Sequence, residues 1–306
     1  MKKMNYLLAI LIAGHMISAC DTDIEPRTIQ HPLTYDDQYY QNLRDWKAMD
    51  HSISFGWFAQ YGAQNSAGVR FMGLPDSLDI CSLWGGIPEK GSACWDETNE
   101  KDFKKAYLAA KEMPFGEERE AALKHAIEMY AEYFLDGVFL NDLDGFDADY
   151  EPDGDFLEGS YFTHFMRYLS QYMGPGPGIT KEERLKLIET RYGKEMAAQE
   201  GIADKLLCID SDYDAKIEVE QFVNYYFIQA YGGGTGSGGW PIEKCVFCCN
   251  MGDGWQGDMK ALYDQASYKP DNGKRKGGFG TLLSFSSMYP NSKSCYLLIF
   301  TKIELI

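Results

Sequence analysis

The sequence predicts an α/β fold, a (β/α)8 TIM barrel. Three observations lead there. Short apolar runs alternate with stretches whose apolar residues recur at helical spacing, which is the pattern of βα units building a parallel sheet. The chain has 306 residues, 45% of them hydrophobic and 25% charged, enough for one large domain. No Gly-x-Gly-x-x-Gly follows the first strand, so a doubly wound open sheet takes second place.

The elements follow in order. "MKKMNYLLAILIAGHMISAC" starts with Lys2 and Lys3, continues with an apolar run from Tyr6 to Ile12 and ends in small residues. This is a secretory leader, too short to be a stable membrane span. Its last four residues, Ile17-Ser18-Ala19-Cys20, resemble a bacterial lipobox, which implies cleavage after residue 19 and lipid attachment to Cys20. Residues 20–50 are polar, carry Pro26 and Pro32 and show no period, so they read as a tether; residues 51–306 hold the folded domain. Strands are expected at 52–62 and 77–86, each ended by glycine. Residues 117–140 place Ala121, Ala122, Ile127, Tyr130, Ala131 and Phe134 at helical spacing. A strand at 143–151 follows, then helices at 156–173 and 180–199. The second of these has Thr180 as N-cap with Glu183 three residues on. Further strands are expected at 205–210, 220–234, 243–255 and 276–287. No internal repeat is visible.

The formal charge of −17 argues against nucleic acid or an anionic membrane surface as the main partner. Loss of the leader would remove Lys2 and Lys3 and make the chain more acidic. Beyond Cys20 there are seven cysteines, an odd number for a disulfide framework. Cys245-x-x-Cys248-Cys249 has the spacing of half a zinc site, but no histidine or second cysteine pair lies nearby. "CVFCC" therefore reads as small buried residues of a strand.

"LDGFDADYE" at 143–151 raises the main question, because carboxylates are rarely placed in a strand without a reason. Side chains two apart on a strand share a face. Asp147, Asp149 and Glu151 therefore point one way, and Phe146, Ala148 and Tyr150 the other. In a barrel the acidic set faces the interior, with its last member at the C-terminal end where catalytic groups gather. Crowded carboxylates raise one another's pKa, which suits an acid that must hold its proton. A calcium loop fits poorly. Counting from Asp147 the sixth residue is Pro152; counting from Asp149 the twelfth is Ser160; "DSDYDAKIEVEQ" from Asp210 has Ala215 at the sixth place.

Asp144-Gly145-Phe146-Asp147-Ala148-Asp149-Tyr150-Glu151 resembles the D-G-x-D-x-D-x-E signature of family 18 glycoside hydrolases on their fourth barrel strand. "QAY" at 229–231 resembles the Gln-x-Tyr of the endo-β-N-acetylglucosaminidase branch; the chitinases more often have Met-x-Tyr-Asp, where this chain has Gly232 in the last place. A lipobox before such a domain resembles glycan-foraging lipoproteins of Bacteroides-type bacteria. The resemblance implies a barrel that departs from the family in two places. The third-strand region, 95–117, reads as helix, and the tail from about 281 has no amphipathic helix to cover the last strand.

The resemblance also implies roles. Glu151 is the acid and later the base. Asp149 orients the substrate's 2-acetamido group, Asp147 sits deeper beside it, and Gln229 and Tyr231 hydrogen-bond that group. The implied activity is retaining, substrate-assisted cleavage of the chitobiose core of N-glycans, with no cofactor and no metal. The implied partner is a glycan or glycoprotein bound by a monomer, lipid-anchored at the outer membrane and displayed on the cell surface. A chitinase-type hydrolase and a silent glycan-binding barrel are the alternatives. Trp57, Trp84, Tyr213 and Trp255 lie near strand ends and are candidates for sugar platforms, Trp255 foremost.

Overall fold

The computed structural model describes residues 35–58, 74–83, 105–151, 159–213, 215–250 and 255–283, with backbone alone for 255–259 and 282–283. The leader, Cys20, Trp84 and the tail from 284 lie outside these residues. The chain divides into two compact units, 1–49 and 50–306.

The first unit contains helix α1, Asp37–Ala48, within the stretch expected to be a structureless tether. No residue of it is buried, so it has no apolar stripe for a periodicity search to find. Its local chemistry is nevertheless helical. The Asp36 side chain accepts from the Tyr39 backbone N–H at 2.8 Å, Asp37 lies in the first turn and Lys47 in the last. Gln38–Asn42 and Gln41–Asp45 bond across one turn, both at 2.8 Å.

The second unit is a nearly closed barrel of seven parallel strands: β1 Ile53–Phe58, β2 Ile80–Leu83, β3 Gly145–Asp149, β4 Leu206–Ser211, β5 Tyr225–Ile228, β6 Cys245–Asn250 and β7 Gly278–Leu283. Their order is β2-β1-β7-β6-β5-β4-β3. The first strand pairs with the last, Ile53↔Gly278 through Phe58↔Leu283, as a sheet rolled toward closure requires. Among the described residues β2 and β3 are the two edges. A cavity of about 890 Å³ lies between them, lined by Ile80, Ser82, Phe146, Asp147 and Cys208 among others. The region expected to lack a third strand contains a helix at 105–111.

The helices outside the barrel are α2 Glu117–Leu140, α3 Ser160–Leu169, α4 Lys181–Tyr192, the single turn α5 Lys194–Ala197, and α6 Trp255–Ser267. The capping box at Thr180 and Glu183 forms in full. The helix expected at 180–199 breaks at Gly193, whose φ of +91° is left-handed and carries the chain out of α4. The strand expected from 220 begins at Tyr225, because residues 217–222 wind into a 3-10 helix whose Val219 and Phe222 pack into the core.

Strand parity divides the core. Ala148, Tyr150, Leu207, Ile209, Tyr226, Ile228, Cys245 and Phe247 point outward and pack with residues of α2 and α3 such as Leu135, Phe139, Phe162 and Phe165. Ile53, Phe55, Trp57, Cys208, Phe227, Val246 and Cys248 point inward and fill the barrel. The "CVFCC" cysteines are thus buried residues alternating between the two layers. Phe55 and Phe227 stack at 3.7 Å across the interior. Gly280 faces Phe55, and a Cβ there would meet the Phe55 carbonyl oxygen at 2.7 Å and its ring at 2.8 Å. A side chain at 280 would therefore push out the ring that floors the site.

Candidate active site

The acidic row sits on β3 as its spacing requires. Asp147 pairs in register with Cys208 and Asp149 with Asp210. The Tyr150 N–H donates to the Asp210 carbonyl at 2.8 Å, extending the ladder one residue beyond β3 and setting Glu151 at the next position above Asp149. Tyr150 itself turns outward and stacks on Phe162 at 3.9 Å.

The end of β5 supplies the second side of the site. The Gln229 N–H donates to the Ser211 carbonyl at 3.0 Å, which ties the chain beyond β5 to the end of β4. Gln229 is buried, and its Nε2 donates to Asp210 Oδ1 at 2.6 Å and to Asp149 Oδ1 at 3.4 Å. Tyr231 is 38% exposed, and its ring stands edge-on to Trp57 with centroids 6.4 Å apart. Residues from four strands thus converge at one end of the barrel.

Burial dominates the electrostatics. It raises the Asp147 carboxyl, and the charge of Asp149 adds to that; the neighbouring polar groups of Asp210, Ser82 and Trp57 oppose it. Asp210 is raised further, by burial first and then by the charges of Asp147 and Asp149, with the Gln229 amide opposing. The Tyr231 phenol is held well above its ordinary value by burial and by Asp210, Cys248, Glu151 and Asp149, so it remains a hydrogen-bond donor. Glu151 is exposed at the mouth of the site.

The spacing therefore brings Asp147, Asp149, Gln229 and Tyr231 together, with Glu151 beside them. Trp57 is a correction. It is 3% exposed, and its Nε1 donates to Asp147 Oδ2 at 3.2 Å, so it has no open face for a sugar ring. Its indole belongs to the support of Asp147. Tyr213 is exposed just beyond β4, at a φ of 62°. Trp84 lies outside the described residues, and Trp255 opens α6 with its side chain undescribed. The residue that sequence reasoning missed is Asp210. Its only signal is a lone Asp at the end of the apolar run "KLLCID".

Comparison with known proteins adds two findings. Residues 18–105 match the family model "Glycoside hydrolase family 18, BT1044-like". That stretch includes β1 and β2 and stops before β3, so the match is independent of the acidic motif. The fold is similar to the crystal structure of endo-beta-N-acetylglucosaminidase from Cordyceps militaris in apo form, at 18% identity and a TM-score of 0.53, covering 82% of this chain and 87% of that one. It is equally similar to a mutant of that enzyme in complex with fucosyl-N-acetylglucosamine-Asn, at 17% identity and a TM-score of 0.52 with the same coverage. No curated protein matches the sequence. The chain is thus similar to a family 18 glycoside hydrolase model in sequence over residues 18–105, and to the endo-beta-N-acetylglucosaminidase barrel in fold over most of its length.

Proposed function

We propose that this protein is an endo-acting glycosidase that cleaves between the two core N-acetylglucosamines of N-glycans, with retention and with the substrate's own 2-acetamido group as nucleophile. The observation that carries the reading is Asp147 and Asp149 on one face of β3 with Glu151 two residues further on, and with Gln229 bonded to Asp149 and Tyr231 alongside. Groups two apart on a strand flank the same side of a bound sugar. Neither Asp is then placed to attack from the face opposite Glu151, and the attacking oxygen must come from the substrate.

In this mechanism Glu151 gives its proton to the glycosidic oxygen as the bond to the anomeric carbon breaks. The acetamido carbonyl oxygen closes on that carbon, while Asp149 accepts the acetamido N–H. Tyr231 donates to the group as it becomes oxazolinium-like. Glu151, now a carboxylate, takes a proton from water, which attacks the same carbon and opens the ring. The Cordyceps militaris mutant that binds fucosyl-N-acetylglucosamine-Asn has amides in place of an Asp and a Glu two residues apart, the spacing of Asp149 and Glu151. The Gln229-x-Tyr231-Gly232 sequence favours this branch over the chitinases. Attachment through Cys20 at the outer membrane surface belongs to the same proposal.

The test is incubation with an N-glycosylated protein and mass spectrometry of the product. A single N-acetylglucosamine left on Asn is expected; an intact glycan on every site overturns the reading. Glu151→Gln should lower turnover by about two to four orders of magnitude, the usual worth of general acid–base catalysis, while glycan binding survives.

A further inference from the structure

The site holds one more buried carboxyl than that mechanism uses. Asp147 Oδ2 accepts from Trp57, but Asp147 Oδ1 is buried with no hydrogen-bond partner. Asp210, on the adjacent strand, stands within hydrogen-bonding reach of both Asp147 and Asp149, and Ser82 on β2 within reach of Asp147. Its own Oδ1 accepts from Gln229 at 2.6 Å. Two ionised carboxylates side by side in a buried site repel strongly, and an unmatched buried acceptor is costly.

We infer that Asp210 is a positioning residue, which carries a hydrogen directed at Asp147 Oδ1 and so locks Gln229 and Asp149 in place. One hydrogen there removes a charge and supplies the missing donor. The result is a continuous chain. Trp57 and Asp210 both donate to Asp147, and Gln229 donates to Asp210 and to Asp149. With both hydrogens of Nε2 engaged, the orientation of the Gln229 amide is fixed, and its Oε1 is left as an acceptor for the bound sugar.

The groups that act on Asp210 and Asp147 are Asp149 on β3, Cys208 on β4, Gln229 and Tyr231 beyond β5, Cys248 on β6, Trp57 on β1 and Ser82 on β2. No cation is among them to favour a second negative charge. The raised pKa of Asp210, caused by burial and by its acidic neighbours, agrees with a carboxyl that keeps its hydrogen at neutral pH.

The catalytic meaning of the inference rests on the proposed function; the hydrogen itself is a property of the folded chain. Two measurements separate these. The first is kinetic, on the full chain. Asp210→Ala removes the link and should lower kcat by roughly 10²-fold, the scale of a misplaced catalytic geometry, with KM for the glycan within about threefold. Asp210→Asn puts an N–H where the hydrogen was and keeps an acceptor for Gln229, so it should recover at least about tenfold of that loss. An Asn variant as slow as the Ala variant, or an Ala variant as fast as wild type, overturns the inference. The second needs no turnover and no Ala variant that folds: carbon-13 NMR titration of the aspartate carboxyls in wild type and Asp210→Asn. One side-chain carboxyl should stay protonated through neutrality in wild type and be missing from the variant. If every aspartate titrates in the ordinary range, the inference fails, whatever the enzyme cleaves. If wild type cleaves no glycan, the proposed function fails while the titration still decides this point.

Discussion

Gln265 is the sharpest test of how the barrel holds the loop that carries Gln229 and Tyr231. The residue lies fully buried in α6. Its Nε2 donates to the carbonyl of Ala230 at 3.0 Å and to that of Gly234 at 3.3 Å. Ala230 separates Gln229 from Tyr231, so this one amide fastens the backbone between two residues of the site. Gln265→Leu keeps most of the volume and removes both donors. The Ala230 carbonyl keeps the Gly233 N–H at 2.8 Å and Gly234 is exposed to water, so the loss is that of two ordinary hydrogen bonds, about 0.5–1.5 kcal/mol each. Part of that is recovered, because Gln265 Oε1 is itself buried without a partner and its own penalty disappears. The net destabilisation should be about 1 kcal/mol. At about 2–4 °C per kcal/mol for a domain of this size, a thermal melt resolves it. Measured well below the melting range, kcat should also fall, by up to about 10²-fold, since the loop would no longer hold Tyr231. An unchanged Tm would show that the two bonds do not hold the loop; a lowered Tm with wild-type kcat would show that the loop's position does not depend on them.

Stability should also depend on pH through the buried carboxyls. Asp147 is raised from 3.8 to about 7 in the folded chain. The unfolded chain therefore loses that proton first, and the contribution is most favourable below about pH 4 and declines as pH rises toward about 7. Asp147→Asn should flatten this decline in urea melts across that window, and an equal slope in both proteins would refute it. A thiazoline mimic of the oxazolinium intermediate should inhibit, since a site complementary to the transition state binds its analogues tightly. Asp149→Asn and Tyr231→Phe should each slow turnover; full-speed cleavage of a substrate lacking the acetamido group, or a glycosyl ester trapped on a carboxylate, would sink the mechanism. Cys20→Ala should move the protein from the membrane to the soluble fraction. No helix among the described residues is long and apolar enough to cross a membrane, and retention after a salt wash would refute the anchor.

The parts of the site that were legible in the sequence are those with a period. Asp147, Asp149 and Glu151 repeat every second residue, and β3 presents Asp147 and Asp149 from one face while Ala148 and Tyr150 pack into the outer layer. Capping chemistry was equally readable at Thr180 and Glu183. Features without a period were not. Helix α1 is stabilised by its cap, its end charges and its exposed polar pairs, none of which leaves an apolar stripe. Trp57 resembled a sugar platform because an aromatic near a strand end can face either way; its burial and its bond to Asp147 are settled only by a strand 90 residues away in the chain. Asp210 fell inside a failed calcium pattern, and nothing local distinguishes it from a strand-ending Asp. Gln265 is a polar residue near the end of a helix until the fold brings Ala230 and Gly234 to it.

The same register explains why this barrel can carry so many acidic groups at one end. Below the site, Phe55, Phe227, Val246 and Cys248 pack as an apolar layer that admits no charge. One step up, Asp149 and Asp210 are direct partners across β3 and β4, and Gln229 follows Phe227 and Ile228 at the end of β5. In register, β3 turns polar at Asp147 beside Cys208, β4 at Asp210 beside Phe227, and β5 only beyond its end at Gln229, so the change is staggered from strand to strand while the polar groups still meet one another. Burying them separately would leave several unmatched acceptors; meeting in one cluster lets Trp57 and the Gln229 amide donate to Asp147, Asp149 and Asp210 in turn. Changing the register of β3 against β4 by one residue would reverse this, turning Asp147 and Asp149 into the layer that contains Phe162 and Leu135 and bringing Ala148 and Tyr150 inside. The position of the acidic groups and the stability of the barrel therefore rest on one pairing, and Gly145, where a Cβ would lie 2.3 Å from the Leu206 carbonyl oxygen, is what allows β3 and β4 to start that pairing in register.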